Sequence, residues 1–222
     1  MTELAKIAAL DAGTYFHHRS LNTPEFAPHF HRTVYLPELT QQAIDDCDVL
    51  IVSCSSPPLL LQAQRDLFAH WLSSGRTLVA MGANQTETWL DGVEWIESPV
   101  NFWWWKEPGA DSGLRLVAPG HPLFKHISLA DATWHQHGSY RVPLGAQSLI
   151  DKLGYGSVLY EDTAHWPGRL IVSALDPMYH HGSHFMPAAT RFLRGLLPWL
   201  REPWRSTPCV DPAAVTTPAA SA

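Results

Sequence analysis

The chain of 222 residues is 45% hydrophobic and 11% aromatic, enough apolar surface to bury a full core, which excludes the disordered class. Its formal charge of -6 at pH 7, with no Lys/Arg run, excludes a broad duplex-binding surface, so nucleic acid is not an expected partner. No apolar run reaches the ~20 residues of a membrane span, and the N-terminus lacks a basic start before a long apolar core, so the expected location is cytoplasmic with no membrane partner.

Lys6 to Leu10 is a short apolar run ending in Asp11-Ala-Gly13 and reads as a first strand with a turn at its C-terminal end. After a loop rich in His and Pro, Thr33 to Leu36 is a second strand candidate and Glu38 to Asp46 a short helix. Asp48-Val-Leu-Ile-Val-Ser53 is a continuous apolar run closed by Cys54-Ser-Ser-Pro-Pro58, the pattern of a strand buried on both faces of a parallel sheet. Leu59 to Ser74 repeats its apolar residues at helical spacing and stops at Gly75. Arg76 to Met81 is the next buried strand, ending at Gly82. This alternation predicts a right-handed βαβ unit in a doubly wound α/β fold, flavodoxin-like, with a mostly parallel sheet and helices on both faces.

Residues 92 to 167 are less regular. Strand candidates at Val93 to Ile96, Leu114 to Val117 and Ser157 to Tyr160 lie among many Gly, Pro and Trp residues, which suggests an elaborated edge or a small antiparallel extension with an irregular Trp-rich insertion. Gly168 to Ser173 reads as a last buried strand, and Phe185 to Leu200 as a closing helix with Ser183 as N-cap and Pro187 in its first turn. With no linker before residue ~200, one domain is expected over residues 1–205. The segment from Ser206 to Ala222 is almost entirely Pro, Ala, Thr, Ser and Val, an expected disordered tail; truncation at residue 205 should leave the melting temperature unchanged, and a drop of several degrees would show that the tail docks.

If the strands are parallel, the loops after their C-terminal ends share one edge of the sheet, the place where open α/β sheets bind ligands. That edge would collect Asp176, His180 and His184 as acid/base candidates, with Asp11, Tyr15, His17, His18, Asn84, Gln85, Glu87, His135 and His137 as ligand-binding candidates. A small polar ligand is the expected partner. Imidazoles with a carboxylate also suit zinc, iron or manganese, which makes a divalent metal a candidate cofactor. His135-Gln-His137 would place two imidazoles on one strand face. Neither His-x-His nor His-His-x-x-His matches a specific ligand signature, so the ligand set stays unknown, and histidines at strand ends commonly hydrogen-bond backbone instead.

Cys47, Cys54 and Cys209 are odd in number and widely spaced, with no C-x-x-C pair, which argues for free thiols rather than a disulfide framework or thiolate zinc site. Cys54, at a strand end near His residues, is a nucleophile only if its pKa is depressed; a small buried Cys needs no function. In Asn101-Phe-Trp-Trp-Trp-Lys-Glu107 three adjacent indoles cannot share one core face. Trp104 is therefore a candidate for stacking on a ligand, and Trp103 to Trp105 for contact with a protein partner or a second copy of the chain; otherwise they cover an irregular extension.

Asp48 to Ser53, Trp71-Leu-Ser-Ser-Gly-Arg-Thr-Leu-Val-Ala-Met-Gly82, His121-Pro-Leu-Phe124, Gly168 to Val172 and the helix ending Leu196-Leu-Pro-Trp-Leu200 together resemble the class I glutamine amidotransferase-like superfamily, including its trehalose-utilisation-type relatives and the domain appended to some β-galactosidases. The resemblance spans roughly residues 5 to 200 and implies an amidotransferase-like fold. In catalytic members the strand matching Thr77 to Met81 enters an elbow bearing a nucleophilic Cys; here the elbow reads Met81-Gly-Ala-Asn-Gln85. No Cys, Ser or Thr occupies it, and glutamine hydrolysis through a thioester needs an activated sulfur. The resemblance thus implies a scaffold without glutaminase activity, either binding or acting on a sugar-like polar ligand, hydrolysing through His and Asp with or without a metal, or serving in an assembly as a non-catalytic subunit.

Overall fold

A computed structural model describes residues 3–100, 102, 106–184 and 186–204. Trp103 to Trp105 and the tail from residue 205 lie outside the described residues, and with them the expectations for Trp104 and for the tail.

The first half of the chain follows the alternation of its apolar runs. Strand β1 (Ile7–Asp11) leads through helix α1 (Tyr15–Asn22) to β2 (Phe30–Tyr35), and the short α2 (Gln41–Ile44) precedes β3 (Val49–Val52). Helices α3 (Pro58–Ala63) and α4 (Arg65–Ser73) connect β3 to β4 (Thr77–Met81). Every residue of β3 and β4 is buried, as a strand covered on both faces requires, whereas β2 shows most of its side chains to solvent because it is the edge strand. Next come β5 (Glu94–Glu97), β6 (Leu114–Leu116), β7 (Gly138–Arg141), β8 (Gln147–Lys152), β9 (Gly156–Asp162) and β10 (Arg169–Ser173), then α5 (Pro177–Gly182) and α6 (Pro187–Leu200).

The parallel strands run in the order β2-β1-β3-β4-β10, the flavodoxin-like order with β10 in fifth place. The chain steps from β1 to β2 in one direction and from β3 to β4 in the other, so right-handed crossovers put α1 and the α3–α4 pair on opposite faces. From β10 onward the sheet turns antiparallel: β9 pairs with β10, β8 and β7, and β5 and β6 pair with β7 and β8. The irregular middle of the sequence is this antiparallel extension, continuous with the central sheet.

Three local expectations need correction. The helix read across 59–74 is two helices, because Gln64 leaves helical geometry at φ -103, ψ 10 between Ala63 and Arg65. His135 to His137 belong to a loop before β7, not to a strand, so no strand pleat aligns their imidazoles. Ser183 does not cap α6. It ends α5, whose last turn uses the Ser183 N–H, while Met186 and Pro187 begin α6. The extra helix α5 is held close to α1: Ser20 Oγ donates to the Met178 carbonyl at 2.7 Å, and a Cβ at Gly182 would lie 2.3 Å from the Phe16 carbonyl oxygen.

Candidate functional site

The loops at the C-terminal ends of the parallel strands are tied together by buried polar brackets. His17 is fully buried; its Nε2 donates to the Cys54 carbonyl at 2.6 Å, and its Nδ1 accepts from the Ala12 N–H at 3.2 Å. Burial lowers its pKa despite the Cys54 hydrogen bond and the nearby Asp11 carboxylate, so the imidazole is neutral and clamps the β1 loop to the β3 loop. Asn84 does the same between β3 and β4: Oδ1 accepts from the Ser56 N–H at 3.0 Å, and Nδ2 donates to the carbonyls of Ser53 and Met81, both at 2.8 Å. Both side chains spend their hydrogen-bonding capacity on backbone, which is a positioning role.

The edge so held opens into a cleft of about 310 Å³ lined by Ser55, Phe102, His135, His137, Asp176, Tyr179 and His180. Asp176 immediately precedes α5, and the i,i+4 spacing brings His180 back over its carboxylate one turn later. Asp176 is 6% exposed. Trp134 Nε1 donates to Oδ1 at 2.9 Å, His180 Nε2 lies 3.2 Å from that oxygen, and His137 Nε2 lies 3.8 Å from Oδ2. Burial opposes the Asp176 charge, but the His180 hydrogen bond and charge, the Trp134 indole and His137 outweigh it and hold the carboxyl below its usual range. His135 stacks edge-on to both His137 and His180, with ring centroids 5.4 and 4.8 Å away. Burial first, then the neighbouring His180, lower its pKa to about 4, so at neutral pH it is an uncharged imidazole.

Of the sequence candidates, Asp176, His180, His135 and His137 meet in this cleft. His184 does not: the turn ending α5 carries it past the cluster, exposed, with φ 56. Tyr15 is 67% exposed on α1, and Gln85 and Glu87 are exposed beside the β4 elbow; none lines the cleft. Asp11 accepts from the Gly13 N–H at 2.8 Å and shapes its own turn. Ser55, Phe102 and Tyr179 were missed. Ser55 follows Cys54 directly and holds φ 60, an uncommon conformation for a side-chain-bearing residue. Tyr179 precedes His180 on the same helix, and Phe102 begins the aromatic run.

Cys54 is fully buried, its Sγ accepting from the Tyr179 N–H at 3.3 Å. Burial, and then the Asp176 charge, push the thiol well above its ordinary pKa, so it stays protonated. At the elbow itself, Gly82 has φ +72, and a Cβ there would lie 2.5 Å from Cys54 Cβ. Among the described residues, the group with three ligand-type atoms within 4.8 Å of one another is His31, Asp46 and Cys47, away from the cleft; its carboxylate already binds the Arg32 guanidinium at 3.0 Å. The cleft imidazoles and Asp176 do not converge that tightly.

No family model and no curated protein matches the chain. Among solved structures, a cytoplasmic protein from Salmonella typhimurium aligns at 16% identity and TM-score 0.56 over 89% of this chain and 100% of its own. A protein from Thermoplasma acidophilum, assigned provisionally to GMP synthase, aligns at 12% identity and TM-score 0.53 over 91% and 98%. These likenesses carry the fold alone: the chain shares its overall architecture with both proteins. Among the described residues, no helix is long and apolar enough to cross a membrane.

Proposed function

We propose that the cleft binds a small polar, sugar-like ligand on an amidotransferase-like scaffold that does not hydrolyse glutamine. The observation carrying this reading is the buried Asp176 carboxylate with His180 and His137 at its two oxygens on the cleft wall. Phe102 and Tyr179 offer apolar ring faces, while Ser55, His135 and His137 offer polar groups around the same space, the combination that suits a ring with hydroxyls at its rim. The elbow from Met81 to Gln85 offers no Cys, Ser or Thr, and Cys54 is buried and protonated, so the means of forming a thioester are missing there.

A second reading, hydrolysis by an Asp176–His180 acid–base pair, is favoured by Ser55. A hydroxyl held at φ 60 at a strand end beside imidazoles has the kind of backbone that clusters at reaction sites. Glucose and trehalose titrations followed by NMR test both readings, with product analysis of the trehalose samples. The expected result is saturable shifts at His135, His137 and Tyr179, with affinity falling at least about tenfold in His180→Gln while the melt is retained, the loss of one charge-assisted contact. If His180→Gln instead melts several degrees lower and binding falls only with unfolding, the residue is structural. Released glucose that requires Ser55 selects hydrolysis. Glutamine is expected to give no ammonia; release that disappears in Cys54→Ala would overturn the non-glutaminase reading.

A further inference from the structure

An aspartate at the start of a helix ordinarily turns its carboxylate back onto the N–H groups of the first turn. Asp176 stands at the start of α5 and makes no such bond. Its Oδ1 is taken by the Trp134 indole at 2.9 Å, with His180 Nε2 3.2 Å from the same oxygen. Oδ2 accepts no hydrogen bond among the described residues: His137 Nε2 stands off at 3.8 Å, outside hydrogen-bond reach, on a side chain that is 42% exposed. One oxygen is thus held by the protein, and the other is left to whatever enters the cleft that Asp176 lines.

The rest of the lining selects the sign of the group that meets Oδ2. Among the described residues no Lys or Arg lines the cleft, and burial keeps His135 uncharged, so an anion would meet a buried carboxylate with no fixed cation to offset it. Two aromatic rings reach the carboxylate's surroundings through its imidazole neighbours. The Phe102 centroid lies 5.9 Å from that of His137, beside Oδ2, and the Tyr179 centroid 5.1 Å from that of His180, beside Oδ1. Both rings are exposed, and a ring face attracts a cation through its quadrupole. An ammonium group is donor-only and an ionised carboxylate oxygen acceptor-only, so the two match without leaving a lone pair facing a lone pair. A sugar hydroxyl also donates to Oδ2, but a bond charged on both sides is the stronger of the two.

We infer that the sugar-like ligand of the cleft carries an ammonium group, which donates to Asp176 Oδ2 beside the rings of Phe102 and Tyr179; the inference rests on the ligand-binding reading proposed above. The test is titration of the full chain at neutral pH with glucosamine, glucose and N-acetylglucosamine, the last keeping the nitrogen but not its charge. The Asp176 carboxyl carbon resonance is followed by NMR, and the series is repeated in Asp176→Asn, which keeps an acceptor for the Trp134 indole. The expected result is at least about tenfold tighter binding of glucosamine than of the other two sugars, with a shift of that carboxyl resonance, and affinities levelled in Asp176→Asn. Equal affinity for glucosamine and glucose on the unmodified protein, or a preference for glucosamine that leaves the carboxyl resonance in place, overturns the ammonium assignment while the ligand reading stands. A folded Asp176→Asn that still prefers glucosamine does the same. Absence of saturation by all three sugars overturns both. The unmodified protein decides these outcomes even where Asp176→Asn fails to fold.

Discussion

Gly82→Cys, which places a thiol in the elbow after β4, is expected to lower stability by about 2–5 kcal/mol and to confer no glutaminase activity. Gly82 sits at φ +72, where a side chain costs about 1–2 kcal/mol in backbone strain. Its Cβ would also stand 2.5 Å from Cys54 Cβ and 3.3 Å from Cys54 Cα, and the Gly82 N–H is fixed to the Ser173 carbonyl at 2.7 Å, so the elbow cannot swing away. Overpacking of that kind adds about 1–3 kcal/mol. Urea unfolding measures the loss. In a Cys54→Gly background the same substitution should recover the contact part but not the strain; a Gly82→Cys protein as stable as the parent would show that the β3 and β4 loops are not locked as described.

How far the sequence reaches depends on what each segment buries. β3, β4 and β10 were legible because a strand covered on both faces has to be apolar throughout, and Val49-Leu-Ile-Val52 admits little else. β7 and β8 were not, since Gly138-Ser-Tyr-Arg and Gln147-Ser-Leu-Ile-Asp-Lys pair in an antiparallel extension where polar residues interrupt the alternation. The break at Gln64 was hidden for a related reason: apolar spacing runs through it without a Gly or Pro. At the site, parallel topology brings Asp176 and His180 to the edge, whereas His135 and His137 arrive on the loop before β7 of the antiparallel extension. Topology could not separate them from His17 and Asn84, because a side chain that satisfies backbone and one that faces a ligand are the same residue types at the same strand ends. His184 was misplaced because α5, a helix of one and a half turns, uses up the loop that the pattern left open.

The second large effect concerns pH. Between pH 7 and pH 4 the protein is expected to lose about 1–3 kcal/mol through His135 alone. An unfolded histidine titrates near 6.5, whereas burial, the His180 charge and, more weakly, His137 bring His135 down to about 4, with Asp176 acting in the opposite direction. Phe102 covers the ring at 4.6 Å, and Nδ1 is buried with no hydrogen-bond partner among the described residues, so a proton on that nitrogen meets no acceptor among them. The sign follows from the depressed pKa. Above 6.5 both states are neutral and the contribution is fully present; as pH falls toward 4 the unfolded chain takes up a proton that the folded chain refuses. His17, lowered by burial and held by Ala12 and Cys54, adds loss in the same direction, whereas Asp176, lowered from a carboxylate's ordinary value, loses its contribution only at more acidic pH. Urea unfolding at pH 7 and pH 4.5 should therefore show a smaller decrease for His135→Gln than for the parent, the difference reporting His135 apart from the other histidines. Parallel decreases in the two proteins would mean that His135 protonates normally in the fold, and the cleft would then carry a positive charge in mild acid where a neutral imidazole is expected.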